Sequence, residues 1–310
     1  VDLMKKRYWA LLVPALLAGW VLLVYTPNAV QSVSALPLTS TPADVGLEYE
    51  SFFLQPADRE LALQAWWMPA ENAQAKLVFI HGAGSHRNSS FFGSLDFYQA
   101  LVTRRVSVAA LDLRNHGDSD RDGDGLRFGL SEKWDAAALL DWTRSRSPHL
   151  PLYVMGISMG GATAIHAVAD GAEVDGLVLL DPLLDTRSAI ANGAWVQTGL
   201  PRWLFHLSAW AAVALHGMPG GDNGALALAS ELTEPILLLQ DPKDPVTEAV
   251  YARSLVENNP SVRYRELPAP DNEHLSALAW RGRWGSHVAG FMLFPETVMS
   301  EISTFMNLEN

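Results

Sequence analysis

Gly156-Ile157-Ser158-Met159-Gly160 is the stretch that decides how this chain is read. An apolar run, Leu152 to Met155, leads into it and a small-residue run, Gly161 to Ala169, leads out, which predicts a strand, a sharp turn and a helix. A serine on such a turn has its neighbours so close that the positions two before and two after must lack side chains. Gly156 and Gly160 meet that demand. The helix that begins here also aims its first backbone N–H groups at the place where an oxyanion would form. The pattern is that of a nucleophile elbow, with Ser158 as the candidate nucleophile toward acyl carbonyls.

Two other loops extend the pattern. After the predicted strand Lys76 to Ile80 comes His81-Gly82-Ala83-Gly84, a tight turn able to present the N–H of Ala83 as a second oxyanion donor beside that of Met159. After Val106 to Leu111 comes Asp112-Leu113-Arg114-Asn115-His116-Gly117-Asp118-Ser119. Three strands are thus expected to end in special loops at one carboxyl edge of a parallel sheet, where open α/β sheets place their sites.

In this order the motifs resemble the α/β-hydrolase superfamily, in its branch of membrane-anchored esterases, lysophospholipase-like enzymes and serine aminopeptidase-like hydrolases. The resemblance covers roughly residues 45 to 307. The family's His-Gly-x-Gly loop matches residues 81–84, its Asp-x-Arg-x-His-Gly-x-Ser loop matches 112–119 with Asn115 in place of the usual glycine, and its elbow matches 156–160. The resemblance implies a mostly parallel sheet with helices on both faces and a helical lid. It also implies the chain order serine, acid, histidine.

The acid should then follow the next-to-last core strand, read at Pro235 to Gln240. Behind it lies Asp241-Pro242-Lys243-Asp244-Pro245-Val246, in which Asp244 takes the family acid's place. Asp241 is the alternative acid, otherwise a turn or capping residue. Asp181, at the end of Gly176 to Leu180, is a third, because a minority of such hydrolases carry the acid one strand earlier. Two histidines compete for the general base. His274 has the usual spacing from Asp244, whereas His287 is followed by Pro295-Glu296 and an apolar terminal helix, as in the family, and is the expected base. The segment Asp271 to Ser286 becomes an insertion whose Trp280 and Trp284 line an acyl pocket or pack against the lid. His81 and His116 read as loop-shaping, and His206 and His216 as packed histidines of an apolar segment.

Composition fits a single large catalytic domain: 310 residues, 49% apolar and 18% charged, without repeats. A net charge of −12 with no basic stripe argues against nucleic acid or an anionic membrane surface as the main partner of the globular part. The chain has no cysteine, which removes thiol nucleophiles, thiolate ligands and disulfides. No zinc spacing occurs, and no cofactor or metal is expected; the glycine pattern at Gly82 to Arg87 also lacks the third glycine of a dinucleotide loop. Asp118-Ser-Asp120-Arg-Asp122-Gly123 imitates the start of an EF-hand, but its twelfth position is Gly129, so a solvated acidic loop is expected.

At the N-terminus Lys5-Lys6-Arg7 precedes an apolar stretch from Tyr8 to Tyr25, long enough to span a bilayer. Cations before it and none close behind favour a cytoplasmic N-terminus with the domain outside the cytoplasm. Cleavage as a signal peptide at Val33-Ser34-Ala35, giving a secreted domain, is the alternative. The expected organisation is an anchor at 1–30, a linker at 31–44, and a hydrolase domain at 45–310. Its lid falls at about 183–232, rich in Trp, Leu and Ala, including Trp195, Trp203, Phe205 and Trp210, and suited to sheltering an acyl chain.

The expected function is hydrolysis of carboxylic esters by Ser158, His287 and Asp244, with Ala83 and Met159 holding the oxyanion. The substrate would be a small or lipid-like acyl ester. An amidase or peptidase of the same fold is one alternative, and a catalytically silent membrane-anchored binding protein is another. A dehalogenase would need an acidic nucleophile at position 158 and is excluded.

Overall fold

A computed structural model describes residues 2–33 and 36–309, with side chains at residue 9 and from residue 12 onward. Eight strands form one sheet: β1 (Glu50–Leu54), β2 (Leu63–Met68), β3 (Ala75–Ile80), β4 (Val106–Leu111), β5 (Leu152–Ile157), β6 (Gly176–Leu180), β7 (Ile236–Gln240) and β8 (Val262–Glu266). Their order is β1-β2-β4-β3-β5-β6-β7-β8. Only β2 runs antiparallel to its neighbours. The central strands read as mostly apolar runs because helices cover both of their faces.

The helices are α1 (Asp2–Trp20), α2 (Thr26–Gln31), α3 (Ser94–Thr103), α4 (Lys133–Ser145), α5 (Met159–Ala169), α6 (Thr186–Thr198), α7 (His206–Ala214) and α8 (Ala225–Glu231). Then follow α9 (Ala249–Asn258), α10 (Asn272–Ala277), α11 (Gly290–Leu293) and α12 (Pro295–Phe305). Alternation along the strands divides the core in two. Val78, Ile80, Val154, Leu179 and Leu238 pack with α4, α5, α8 and α9. Leu77, Phe79, Met155, Val178 and Leu237 pack with α3 and α12 on the other face. Lys76, buried on β3, donates from Nζ to the carbonyls of Thr143, Arg144 and Ser147 at 2.8–3.2 Å, satisfying the C-terminal end of α4.

Strand β1 starts at Glu50, five residues into the expected hydrolase domain. Thr41 and Asp44 form a capping box, the Thr41 N–H donating to Asp44 Oδ2 at 2.7 Å, and Gly46 closes that turn at φ 76°. Residues read as linker are already fixed on the body here, since Asn88 Nδ2 donates to the Ser40 carbonyl at 2.9 Å.

α1 runs through a π-helical turn, Val21–Tyr25, into α2, so the apolar helix continues six residues beyond Tyr25. Thr26 Oγ1 and Asn28 Nδ2 donate back to the carbonyls of Val21 and Val24 at 2.9 and 2.8 Å, which lets polar residues extend it. Leu12–Gln31 is long and apolar enough to cross a membrane, with mean hydropathy 1.5 and only 6% of it buried. The possible cleavage site falls at Ser34 and Ala35, outside the described residues. Between β6 and β7 lie α6, α7 and α8, in the segment expected to carry a lid.

Candidate active site

Ser158 sits between β5 and α5 with φ 51° and ψ −121°, a backbone conformation that a residue other than glycine adopts only when its surroundings enforce it. The surroundings do so by proximity. A Cβ on Gly156 would collide with the Gly160 carbonyl, and one on Gly160 with the carbonyls of Ile80 and His81. The turn therefore lies flush against the end of β3, and a Cβ on Gly82 would come within 3.2 Å of the Ser158 Cβ.

His287 joins this serine to Asp244. Its Nε2 lies 3.0 Å from Ser158 Oγ, and its Nδ1 lies 2.7 Å from Asp244 Oδ2. All three side chains are buried. The other Asp244 oxygen accepts the N–H groups of Val246 and Thr247 at 2.6 and 2.8 Å, so the carboxylate is aimed by its own loop. His274 is elsewhere, on α10, where its Nδ1 meets Asp271 Oδ1 at 2.7 Å near the surface. Asp241 serves a turn, its Oδ1 accepting the Lys243 N–H at 2.8 Å.

Asp181 does not reach a histidine. Its Oδ1 accepts from Asp241 N–H at 2.7 Å and Gln240 Nε2 at 3.1 Å, and its Oδ2 accepts from Val288 N–H at 3.1 Å. Burial, followed by the nearby Asp244 charge, pushes its carboxyl well above the usual range, while the two backbone donors pull the other way.

The two groups expected as oxyanion donors are backbone N–H groups. Met159 is the first residue of α5, so its N–H has no intrahelical partner. The Ala83 N–H has no acceptor among the described residues. Two buried histidines shape the turn that carries Ala83. His116 faces the Arg114 carbonyl with Nδ1 at 2.8 Å and accepts the Gly84 N–H on Nε2 at 3.1 Å. His81 faces the Gly82 carbonyl at 2.8 Å and accepts the Leu113 N–H at 3.0 Å. Each uses one nitrogen as donor and the other as acceptor, which requires the neutral ring. Burial pushes His116 down to about 4 and His81 well below its ordinary value. His206, by contrast, is exposed rather than packed, because it lies on the outer side of α7.

Asn115 stands at φ 68°, a left-handed position that asparagine tolerates, which accounts for its place where the family has glycine. The following acidic loop is not simply solvated. The Asp122 side chain is buried and accepts from Asn115 Nδ2 and the Asp124 N–H, both at 2.9 Å. Asp118 pairs with Arg87 at 2.9 Å and Asp124 with Arg59 at 3.0 Å. The carboxylates are committed to arginines and amides, and no cluster of metal-ligating side chains occurs among the described residues.

The family description "Serine aminopeptidase, S33" matches residues 71–264, a span that carries Ser158 and Asp244. The chain belongs to that family. This S33 chain is 27% identical over 172 residues to the lysophosphatidylserine lipase ABHD12 of Rattus norvegicus, covering 47% of this chain and 41% of that protein. It is 28% identical over 134 residues to the monoglyceride lipase of Rattus norvegicus, covering 41% of each. The chain thus spans less than half the length of these curated relatives. Among solved structures, an esterase of Pyrococcus furiosus superposes with a TM-score of 0.71 at 22% identity, over 89% of this chain and 97% of that one, which shows the shared α/β-hydrolase fold.

Three contacts of the S33 site were not foreseen. Trp284 stacks on the His287 ring with centroids 5.9 Å apart. Arg281, buried against the Phe91 ring, donates from Nη2 to the His287 carbonyl at 2.5 Å. The helices between β6 and β7 are fastened to the acid loop: Asn192 Nδ2 donates to the Val246 carbonyl at 2.9 Å and Arg202 Nη2 to the Pro245 carbonyl at 3.2 Å. The sequence offered a signal only for Trp284, as an aromatic close to the histidine.

Proposed function

We propose that this chain is a membrane-anchored serine hydrolase that cleaves carboxylic acyl esters. The observation that carries the reading is the unbroken hydrogen-bonded line from Ser158 Oγ through His287 to Asp244 Oδ2, at 3.0 and 2.7 Å. Ser158 attacks the ester carbonyl as His287 Nε2 takes its proton. Asp244 holds the histidine in the tautomer that leaves Nε2 free to accept, and it stabilises the imidazolium that forms. The N–H groups of Met159 and Ala83 receive the oxyanion. His287 then protonates the leaving alcohol, and water repeats the attack on the acyl-enzyme.

The preference for esters over amides rests on the lipase relatives and on the apolar helices beside the site. The membrane reading rests on the apolar helix ending at Gln31, with the globular part assigned outside the cytoplasm from the flanking cations. The helices α6 to α8 are assigned as the lid.

The test is labelling by a fluorophosphonate. The wild-type chain should label, His274→Ala should label equally, and Ser158→Ala and His287→Ala should not. A folded wild-type chain that never labels would instead favour a silent binding protein. Paired acyl esters and anilides of the same acyl group then decide between ester and amide hydrolysis.

A further inference from the structure

Apart from His206, the outer face of α7 is apolar, and it is uncovered. Trp203, Leu207 and Trp210 are 67%, 45% and 44% exposed, and their spacing of four and three residues places them on one side of the helix and the turn before it. Leu200 and Leu215 extend the surface at its two ends and are also exposed. Buried Phe205, Ser208, Ala209, Ala211 and Ala212 form the opposite side, which packs on the protein. Soluble surfaces rarely leave two tryptophans and three leucines together in water.

The sequence around this face is equally selective. The chain carries 34 acidic residues, yet none occurs between Asp185 and Asp222. Arg202 borders the face, its guanidinium lying over Trp195 at 4.3 Å.

What covers the face follows from what touches α7 beside it. The helix packs against the Val21–Tyr25 turn and against α2, and His216 Nε2 meets the Leu23 carbonyl at 2.8 Å. Val21–Tyr25 is the last part of the apolar stretch that starts at Tyr8. α7 thus lies against the end of the N-terminal helix nearest the globular part, at the level where the span leaves the hydrocarbon core. This is the depth at which an amphipathic helix lies in the boundary between headgroups and acyl chains, and tryptophan is favoured there.

We propose that the outer face of α7 is seated in the bilayer leaflet into which the N-terminal helix inserts, making the lid itself a membrane contact of the globular domain. The proposal rests on reading the N-terminal helix as a membrane span. It would place the membrane contact on helices that are hydrogen-bonded to the loop of Asp244.

The absence of cysteine allows a clean test, because single cysteines can be labelled with an environment-sensitive nitrobenzoxadiazole dye in the full chain. Leu207→Cys, Trp20→Cys on the anchor and His149→Cys, an exposed position before β5 at the opposite sheet edge from Ser158, would be compared in phosphatidylcholine vesicles. The expected result is blue-shifted emission, quenched by nitroxide lipids, at positions 20 and 207, with water-like, unquenched emission at 149. Water-like emission at 207 while 20 is quenched overturns the proposal. So does emission at 207 that shifts with protein density and resists the lipid quencher, which would assign the face to a second copy. If position 20 is itself unquenched, the anchor reading fails and the proposal with it.

A second arm separates this proposal from the hydrolase reading. The triple variant Leu200→Gln, Leu207→Gln, Leu215→Gln should keep cleavage of a water-soluble short-chain ester and lose cleavage of a long-chain ester dissolved in the vesicles. Equal loss on both substrates, or loss on neither, overturns the proposal. A wild type that cleaves neither ester sinks the hydrolase reading, and the dye measurements still decide the placement of α7.

Discussion

Asp181 Oδ2 holds the backbone N–H of Val288, the residue after His287, at 3.1 Å. Both residues have left-handed backbones, with φ 45° at Asp181 and 50° at Val288, and for a β-branched valine that is a strained conformation. One carboxylate thus ties the end of β6 to the start of the acid loop and to the histidine loop.

Replacing it tests that tie. Asp181→Asn keeps the shape, but in the orientation that preserves the bond to Asp241 it sets an NH₂ group against the Val288 N–H. The expected outcome is a histidine loop that shifts, with ester turnover falling on the order of 10²-fold. Asp244→Asn should fall further, about 10⁴-fold, because it fixes the wrong histidine tautomer. Steady-state kinetics of the two variants should preserve that order; an Asp181→Asn loss as deep as that of Asp244→Asn would contradict the assignment of the acid.

The two candidate histidines make opposite predictions. His274 is partly exposed and pairs with Asp271 three residues earlier, on the first turn of α10. An exposed pair of this kind is screened by solvent and contributes little to stability. His274→Ala should therefore leave both melting temperature and ester turnover near wild type, while His287→Ala abolishes turnover and stays folded. Melting curves beside the kinetics separate loss of chemistry from loss of structure.

The elbow makes a sharper demand, on backbone rather than side chains. A Cβ at position 160 meets the carbonyls of Ile80 and His81, which belong to the central strand and the oxyanion turn and cannot withdraw. Gly160→Ala should lose fluorophosphonate labelling and melt well below wild type. Gly193, inside α6, has open space around its missing Cβ. There Gly193→Ala should stabilise the chain by about 0.5–1 kcal/mol, through helix propensity and a less free unfolded chain. Urea denaturation of both variants checks the contrast; equal effects would mean that the crowding at the elbow is unimportant.

These cases mark what sequence could express. The elbow was legible because its constraint is local: Gly156, Ser158 and Gly160 lie within five residues. The mostly parallel sheet was legible in kind, because strands buried on both faces read as apolar runs. The histidine was harder, since the chain turns twice between Asp244 and His287 and spacing alone does not say which ring arrives at Ser158. Arg281 against the His287 carbonyl, and Asp181 under Val288, had no signal, because each joins segments that are neighbours only after folding. The acidic loop misled for the same reason: its partners Arg59 and Arg87 lie far upstream.

Buried neutral histidines also give the fold an acid limit of predictable sign. His166 on α5 is buried, its Nε2 has no partner among the described residues, and burial, followed by the Lys133 charge, pushes it down to about 4. The unfolded histidine titrates near 6.5. Between these values the unfolded chain binds a proton that the native chain refuses, so stability is fully present above about pH 6.5 and declines as pH falls toward 4. The limiting slope for one such group is about 1.4 kcal/mol per pH unit. His81 and His116, depressed for the same reason, act in the same direction. His166→Leu removes one of the three without touching the Ser158 site. Urea unfolding in detergent at pH 7.5, 6 and 5 should show the variant gaining on wild type as the pH falls. A difference between them that stays constant across that range would mean that His166 does not titrate with folding.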